Sequence, residues 1–392
     1  MNSSPQNRVE VPVGRLAIGM YVAELDRPWL DTPFALQGFY IRSREDVEAL
    51  SEYCEFVYVD PRRLQRDAAL PRARARYKNT VTMKTEFTTA QADLESAHVA
   101  ISKVFERLSS GGPLEVAAVS RAVNPLIESV LRNKDAMAAL MRIRKKDDYT
   151  YGHCLATAAW AAILGRHLGF DTDTLKTLAL GAALTDVGKV RVDSSILAKT
   201  TKLSDDELVS VRAHVDHSID IVSESKVEPE VLEIVRSHHE RHDGSGYHEG
   251  LVGAEIPLLA RIAGLADSYD AMITTRPYAA ARSSYQAMQE LSDLKDKKYQ
   301  GELVEQFMQA IGLFPTGSLV ELNTGEVGIV AAQNASRRLK PKVMVILASD
   351  KQRLRKFNVV DLTQPDPPDA RIWISKELAP GSHGIDAEEF YL

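Results

Sequence analysis

A chain of 392 residues is too long for one typical core and points to two or three folded units. With 44% hydrophobic and 26% charged residues and a net charge of −6, it has a globular composition and no global drive toward nucleic acid. Two cysteines, Cys54 and Cys154, offer no disulfide framework; no run approaches the roughly 20 apolar residues of a membrane span; and MNSSPQNRVEVPVG lacks the apolar stretch of a leader, so a cytoplasmic location is expected.

Residues 1–65 read as a small α/β domain. VEVPV and GMYVAEL alternate like strands, SREDVEALSEYC runs as an amphipathic helix from an N-cap at Ser43, and FVYVD is again strand-like. PRRLQRDAALPRARARYK (61–78) carries six arginines, one lysine and one acid. The segment 66–83 is therefore read as a solvated basic linker, with contact to nucleic acid or anionic lipid the less favoured alternative. From 84 to 109, Phe87, Ala90, Leu94, Ala97, Ile101, Val104 and Leu108 recur in steps of three and four, the seam of a helix. Packing within the chain is favoured over a homodimer through this helix. SSGGP breaks it, and shorter helices complete a connector over 84–146.

Residues 147–315 are helical almost throughout. Ser204 and Glu207 fit a capping box, and Pro229 and Pro257 suit first-turn positions. The period then changes. Over 316–366, SLVELNTGEVGIVA alternates around an Asn-Thr-Gly turn and KVMVILAS follows, a small β unit; the tail 367–392 has no clear period. The expected fold is multidomain and mainly α: a helical bundle preceded by a small α/β domain and followed by a small β unit.

Chemistry concentrates in the helical part, where eight of the ten histidines lie between 153 and 248. His153 sits near the start of an apolar helix, and His214 precedes His217 by about one turn. His238 and His239 are adjacent, so their rings point about 100° apart and could serve two neighbouring metals. Asp267 and Asp270 share one helix face at i and i+3. Asp186 leaves the apolar run LKTLALGAAL and is followed by Lys189. Burying an unpaired carboxylate costs several kcal/mol, so a cation is expected beside it. Each residue alone has a structural explanation. Together, imidazoles and carboxylates on apolar helices are what a metal site in a bundle requires, and mixed N/O donors favour Fe, Mn or Zn over thiolate-type sites. The glycine-rich HHERHDGSGYHEG can present backbone donors and Tyr247 to a substrate, or only reverse the chain.

YTYGHC, TDVGK, AHVDHSIDIV, HHERHDGSGYHEG, IPLLARIAGLADSYDAM and RPY occur in the order and approximate spacing of the HD-GYP domain, which residues 148–311 closely resemble. Residues 9–65 resemble the small domain of unknown function that often precedes it, and GSLVELNTGEVGIV the β tail that often follows. The resemblance implies a helical HD-domain bundle that hydrolyses the bacterial second messenger cyclic di-GMP to pGpG or GMP, by a hydroxide held between metals. It implies His153, Asp186, His214, His238, His239 and Asp267 as metal ligands, with Asp186 bridging, and Lys189 as the catalytic lysine on a phosphate. Arg276 would contact guanine, with Asp270, Gly246 and Tyr247 in the same substrate pocket. Two divalent transition metals per chain are implied, Fe or Mn ahead of Zn, Ni or Co, because Tyr149 stands where some members place a glutamate for a third. A GGDEF-type or other signalling protein is an implied partner.

Three departures bear on activity. Thr185 replaces the signature histidine, and His217, His242 or His248 are candidates to compensate. The signature proline is His248, in Gly246-Tyr247-His248, which removes a rigid turn element. Ala279 replaces a basic residue after RPY. The expectation is a cyclic di-GMP phosphodiesterase of reduced activity; the alternative is a catalytically inactive cyclic di-GMP receptor or scaffold.

Overall fold

The protein is described from a computed structural model over residues 8–27, 39–41, 44–61, 77–143, 149–275, 281–334, 340–364, 372–379, 381–385 and 387–390. The Ser43 cap, most of the basic linker, Arg276 and Ala279 lie outside these residues. Strands β1 (Val9–Pro12), β2 (Tyr21–Leu25), β3 (Phe39–Tyr40) and β4 (Phe56–Val59) form an antiparallel sheet in the order β1-β4-β2-β3, with helix α1 (Arg44–Ser51) between β3 and β4 in the chain. Its core holds Val22, Leu25, Ile41, Leu50, Val57 and Val59; Val57 and Val59 follow the alternation of β4, whereas an irregularity between Val22 and Glu24 brings both Val22 and Leu25 inward.

Helix α2 (Met83–Ser109) starts at Thr82, whose side chain accepts from Thr85 N. Its seam is spent inside the chain: Phe87, Ala90, Ala97, Ile101, Val104 and Leu108 are buried in one core with residues of α3 (Val116–Ile143). Each large side chain there contributes about 1.5–3 kcal/mol of burial, so the seam packs within the chain, as its favoured reading had it. The shorter helices expected after SSGGP are present as the two halves of α3, which meet at Asn133, where the backbone leaves the helical region (φ −156°, ψ 97°). There Asn133 Oδ1 accepts from Asp135 N at 3.0 Å and restarts the helix as a cap would.

The bundle continues with α4 (Tyr149–His167), α5 (Thr172–Leu184), α6 (Ser194–Leu197), α7 (Asp205–Arg212), α8 (His214–Ser223), α9 (Pro229–Ser237), α10 (Leu258–Ile273), α11 (Ser284–Asp293) and α12 (Gly301–Ile311). Asp171 caps α5, the Ser204/Glu207 box caps α7, and Pro229 opens α9. Pro257 falls one position earlier than expected, as the N-cap of α10. Trp160 on α4 and Tyr269 on α10, both fully buried, meet edge to face at 5.2 Å between ring centroids and fix the spacing of the two helices that carry His153 and Asp267.

Strands β5 (Leu319–Leu322), β6 (Val327–Ala332), β7 (Lys342–Leu347), β8 (Arg353–Asp361) and β9 (Ile374–Glu377) form an antiparallel sheet in the order β8-β7-β6-β5-β9. Leu319, Val327, Ile329 and Leu347 join the helical core, while Val320, Leu322, Val343 and Val345 form a separate cluster on the other face. Strand β9 comes from the segment assigned to the tail and pairs with β5. What holds it is a buried ion pair, Glu377 with Arg142 of α3 at 2.7 Å, backed by donation from Tyr285 N at 2.9 Å and Ser318 Oγ at 3.1 Å. Four residues without an apolar stripe carry little signal of this. No helix among the described residues is long and apolar enough to cross a membrane.

Candidate metal centre

Five helices bring their polar residues to one point. His153 comes from the first turns of α4, Asp186 follows the C-terminal cap of α5, and His214 is the first residue of α8. His238 caps the C-terminus of α9, His239 follows it, and Asp267 lies in the middle of α10. Glycines allow the close approach. A Cβ on Gly188 would meet His214 O at 2.2 Å, and one on Gly264 would meet His238 O at 2.2 Å. Ser218 locks the turn after α5, because its hydroxyl donates to Thr185 O at 2.9 Å and accepts from Gly188 N at 2.8 Å.

The donors fall into two sets. Asp186, His214, His238 and His239 form one, and His153, Asp186 and Asp267 the other; within each set one ligand atom per residue lies within 4.8 Å of the rest. Asp186 belongs to both. All six residues expected as ligands are therefore together.

Hydrogen bonding shows which atoms are offered. His214 Nδ1 donates to Val211 O at 2.6 Å and His238 Nδ1 donates to Val235 O at 2.8 Å, each to the residue three before it. That fixes the tautomer and turns a lone pair on each Nε2 toward the centre. Among the described residues these two Nε2 atoms and Asp186 Oδ1 are buried without a hydrogen-bond partner. His214 Nε2 and Asp186 Oδ1 sit 3.3 Å apart, both as acceptors. Two buried acceptors with no proton between them repel, and each unsatisfied group costs about 1–3 kcal/mol. A divalent cation bound by both converts the repulsion into two bonds, so the residues fit a metal.

For three of the four imidazoles the electrostatics agree. Burial holds His214 and His239 below the ordinary histidine range and pushes His238 down to about 4, so all three are neutral and ligand-ready at neutral pH. Asp186 resists the upward push of burial because Lys189 and the raised His153 hold its carboxyl well below the carboxylate range. Burial would lower His153 too, but its hydrogen bonds to Asp267 and Asp270 outweigh that and raise it to about 9. Lys189 Nζ donates to Asp186 Oδ2 at 2.5 Å from a side chain one-fifth exposed.

Several expectations need correction. Asp270, expected in the substrate pocket, is fully buried behind His153: it accepts from His153 Nδ1 at 2.7 Å and from Trp160 Nε1 at 3.1 Å. Its bond to Nδ1 fixes how the His153 ring is turned. Tyr247 is also not an open platform for a base. Its ring stacks on His239 at 4.7 Å and has the Arg212 guanidinium 5.1 Å from its centroid. Gly246 is where the loop recrosses itself, since a Cβ there would meet Arg241 N at 2.4 Å. Thr185 does not fill the histidine's place: its hydroxyl donates to Ala182 O at 3.0 Å. His217, His242 and His248 join neither donor set, and His248 Nδ1 instead pairs with Asp216 at 3.0 Å.

Glu240 escaped the sequence reading. Its buried carboxylate accepts from Glu249 N at 2.7 Å, Gly250 N at 3.0 Å and Leu251 N at 3.1 Å, and so folds the loop after the histidines. The available signal was an acid directly after two ligands and before a glycine-rich turn. Glu240→Ala is expected to cost about 2–3 kcal/mol, because three amides lose a charged acceptor; thermal unfolding of the full chain measures it.

The chain resembles known proteins along its length. Residues 121–303 match the HD domain, residues 8–119 a domain of unknown function (DUF3391), and residues 319–376 a KOW domain associated with HD domains. The chain is 31% identical over 369 residues to the cyclic di-GMP phosphodiesterase PA4108 of Pseudomonas aeruginosa, covering 90% of this chain and 88% of that protein. It is 31% identical over 198 residues to the cyclic di-GMP phosphodiesterase response regulator RpfG of Xanthomonas campestris pv. campestris, covering 48% of this chain and 52% of that one. A match to the 3'3'-cGAMP-specific phosphodiesterase 1 of Vibrio cholerae reaches 32% over 168 residues, 42% of this chain and 39% of that protein. Among solved structures, Bd1817 of Bdellovibrio bacteriovorus, an HDG"Y"P protein, gives a TM-score of 0.49 at 18% identity, covering 76% of this chain and 98% of that chain. With PA4108 alike along nearly its whole length, this chain belongs to the HD-GYP family of HD-domain proteins, in the form that carries DUF3391 before the HD domain and a KOW-type unit after it.

Proposed function

We propose that this chain hydrolyses cyclic di-GMP to linear pGpG, and onward to GMP, at a two-cation centre shared through Asp186. The observation that carries the reading is the pair of donor sets meeting at that one carboxylate. Two divalent cations, Fe or Mn by the N/O character of the donors, supply an activated water and neutralise charge on the phosphoryl oxygens when bound. The chain's own residues do the rest. Asp186 holds both positions in register. Asp270 and the carbonyls of Val211 and Val235 keep three imidazoles aimed inward. Lys189, part-exposed beside Asp186, places an ammonium where a scissile phosphate would sit. Arg276 is the proposed guanine contact, and the three-donor set beside Thr185 is the expected source of a reduced rate. A receptor without metal would leave the inward-facing acceptors unsatisfied, so that reading is not favoured.

The test is hydrolysis of cyclic di-GMP, with 3'3'-cGAMP as the competing substrate, by protein loaded with Mn²⁺ or Fe²⁺ and by protein stripped with a chelator. Loaded protein is expected to form pGpG, and stripping to reduce the rate by more than about 100-fold, recovered on re-addition of metal. Protein that binds the dinucleotide tightly but cleaves neither substrate, whatever its metal content, would overturn the proposal.

A further inference from the structure

His239 differs from its neighbours in how it is held. His214 and His238 each have a ring nitrogen tied to a backbone carbonyl, and His153 has one tied to Asp270. Among the described residues the His239 ring makes no hydrogen bond; it is packed between rings, with Tyr247 at 4.7 Å and 25°, and His238 at 4.1 Å. Its orientation therefore depends on where Tyr247 sits, and Tyr247 lies on a loop without the family's proline.

Two residues grip that loop from the side. Arg212, the last residue of α7, lies over the Tyr247 ring, its Cζ 5.1 Å from the centroid. Asp216, in the first turn of α8, pairs with His248 Nδ1 at 3.0 Å. Consecutive loop residues are thus held by residues four apart on adjoining helices, and the second of those helices begins with the ligand His214. We propose that Arg212 and Asp216 clamp Tyr247 and His248, and that this clamp positions the His239 ring for the four-donor set. The side-chain pair at His248 does here what a rigid backbone would otherwise do. Tyr247, Arg212, Asp216 and His248 are positioning residues in this scheme, which rests on the metal-centre reading.

Mn²⁺ titration of chelator-stripped full-length protein, in competition with a metallochromic indicator, tests it. The affected step is identified as the one that His238→Ala removes. Tyr247→Leu should weaken that step by about 10–100-fold, the range for residues that orient a ligand, and Tyr247→Phe, which keeps the ring, should restore it. Arg212→Ala and His248→Ala, both outside the buried core, should each weaken it about 2–5-fold, as loss of one exposed cation–π or ion-pair contact does. The step held by His153, Asp186 and Asp267 should not move. An unchanged step in Tyr247→Leu, or equal weakening of both steps, would overturn the clamp. Wild-type protein that takes up no metal would overturn the metal centre and the clamp together, whereas normal two-step binding without turnover would sink only the hydrolase reading.

Discussion

Replacing Asp186 by alanine should empty both donor sets at once. Every other ligand serves one set, so its loss leaves the second largely intact; Asp186 is common to both. Even a residue that only orients a ligand is worth about 10–100-fold in metal affinity, and loss of a shared ligand should exceed that at each position. Bound metal in Asp186→Ala, measured by elemental analysis of the purified chain, is expected to fall to background, and pGpG formation by at least about 100-fold. The substitution has a second cost. Lys189 is four-fifths buried and loses the carboxylate it pairs with at 2.5 Å, which should destabilise the metal-free chain by about 2–3 kcal/mol. Asp186→Asn keeps the volume and removes the charge, and it should lose metal just as fully. Loss of only about half the metal would show that Asp186 serves one set and not both, and near-normal metal in either variant would show that it holds neither.

The residues of this centre were legible as candidates from their clustering on helices, and the resemblance to the HD-GYP domain supplied their assignment as ligands. His153 and Asp267 adjoin apolar runs, and His214, His238 and His239 fall in the stretch that holds most of the histidines. The tandem His238-His239 could serve two positions because successive helical residues diverge by about 100°. What was not legible depends on the tertiary approach of elements far apart in sequence. Asp270 shares a face with Asp267, which the i, i+3 spacing gives, but nothing local says that His153 and Trp160 of α4 will close over it. Glu240 looks like one more charge in a polar loop until the chain turns back and presents three amides to it. Strand β9 is four residues of ordinary polarity, recruited by the buried ion pair between Glu377 and Arg142. The seam of α2 was clear as a seam, but a three-four repeat does not identify the helix that covers it.

Thr185→His should raise both metal occupancy and rate, and the structure says where. The set around His214 has four donors, whereas the set around His153 has three. Thr185 directly precedes the shared Asp186, at the helical C-cap of α5. Its hydroxyl is bonded back to Ala182 O, and none of His217, His242 and His248 stands in for the absent imidazole. The three-donor position is therefore the weak one, and an imidazole at 185 is expected to strengthen it by about 10–100-fold. Giving up the hydroxyl's bond to Ala182 O, a carbonyl in the last turn of α5, costs about 1–3 kcal/mol of stability. In the Mn²⁺ titration the step assigned to His153, Asp186 and Asp267 should tighten while the four-donor step stays where it is, and cyclic di-GMP turnover at limiting metal should rise with it. If neither moves, position 185 does not face the three-donor set, and the low-activity expectation loses its physical basis. If metal tightens but turnover does not, the rate is limited away from the centre, and the segment after α10 that carries Arg276 and Ala279 becomes the place to look, with Ala279→Arg the variant that reads it.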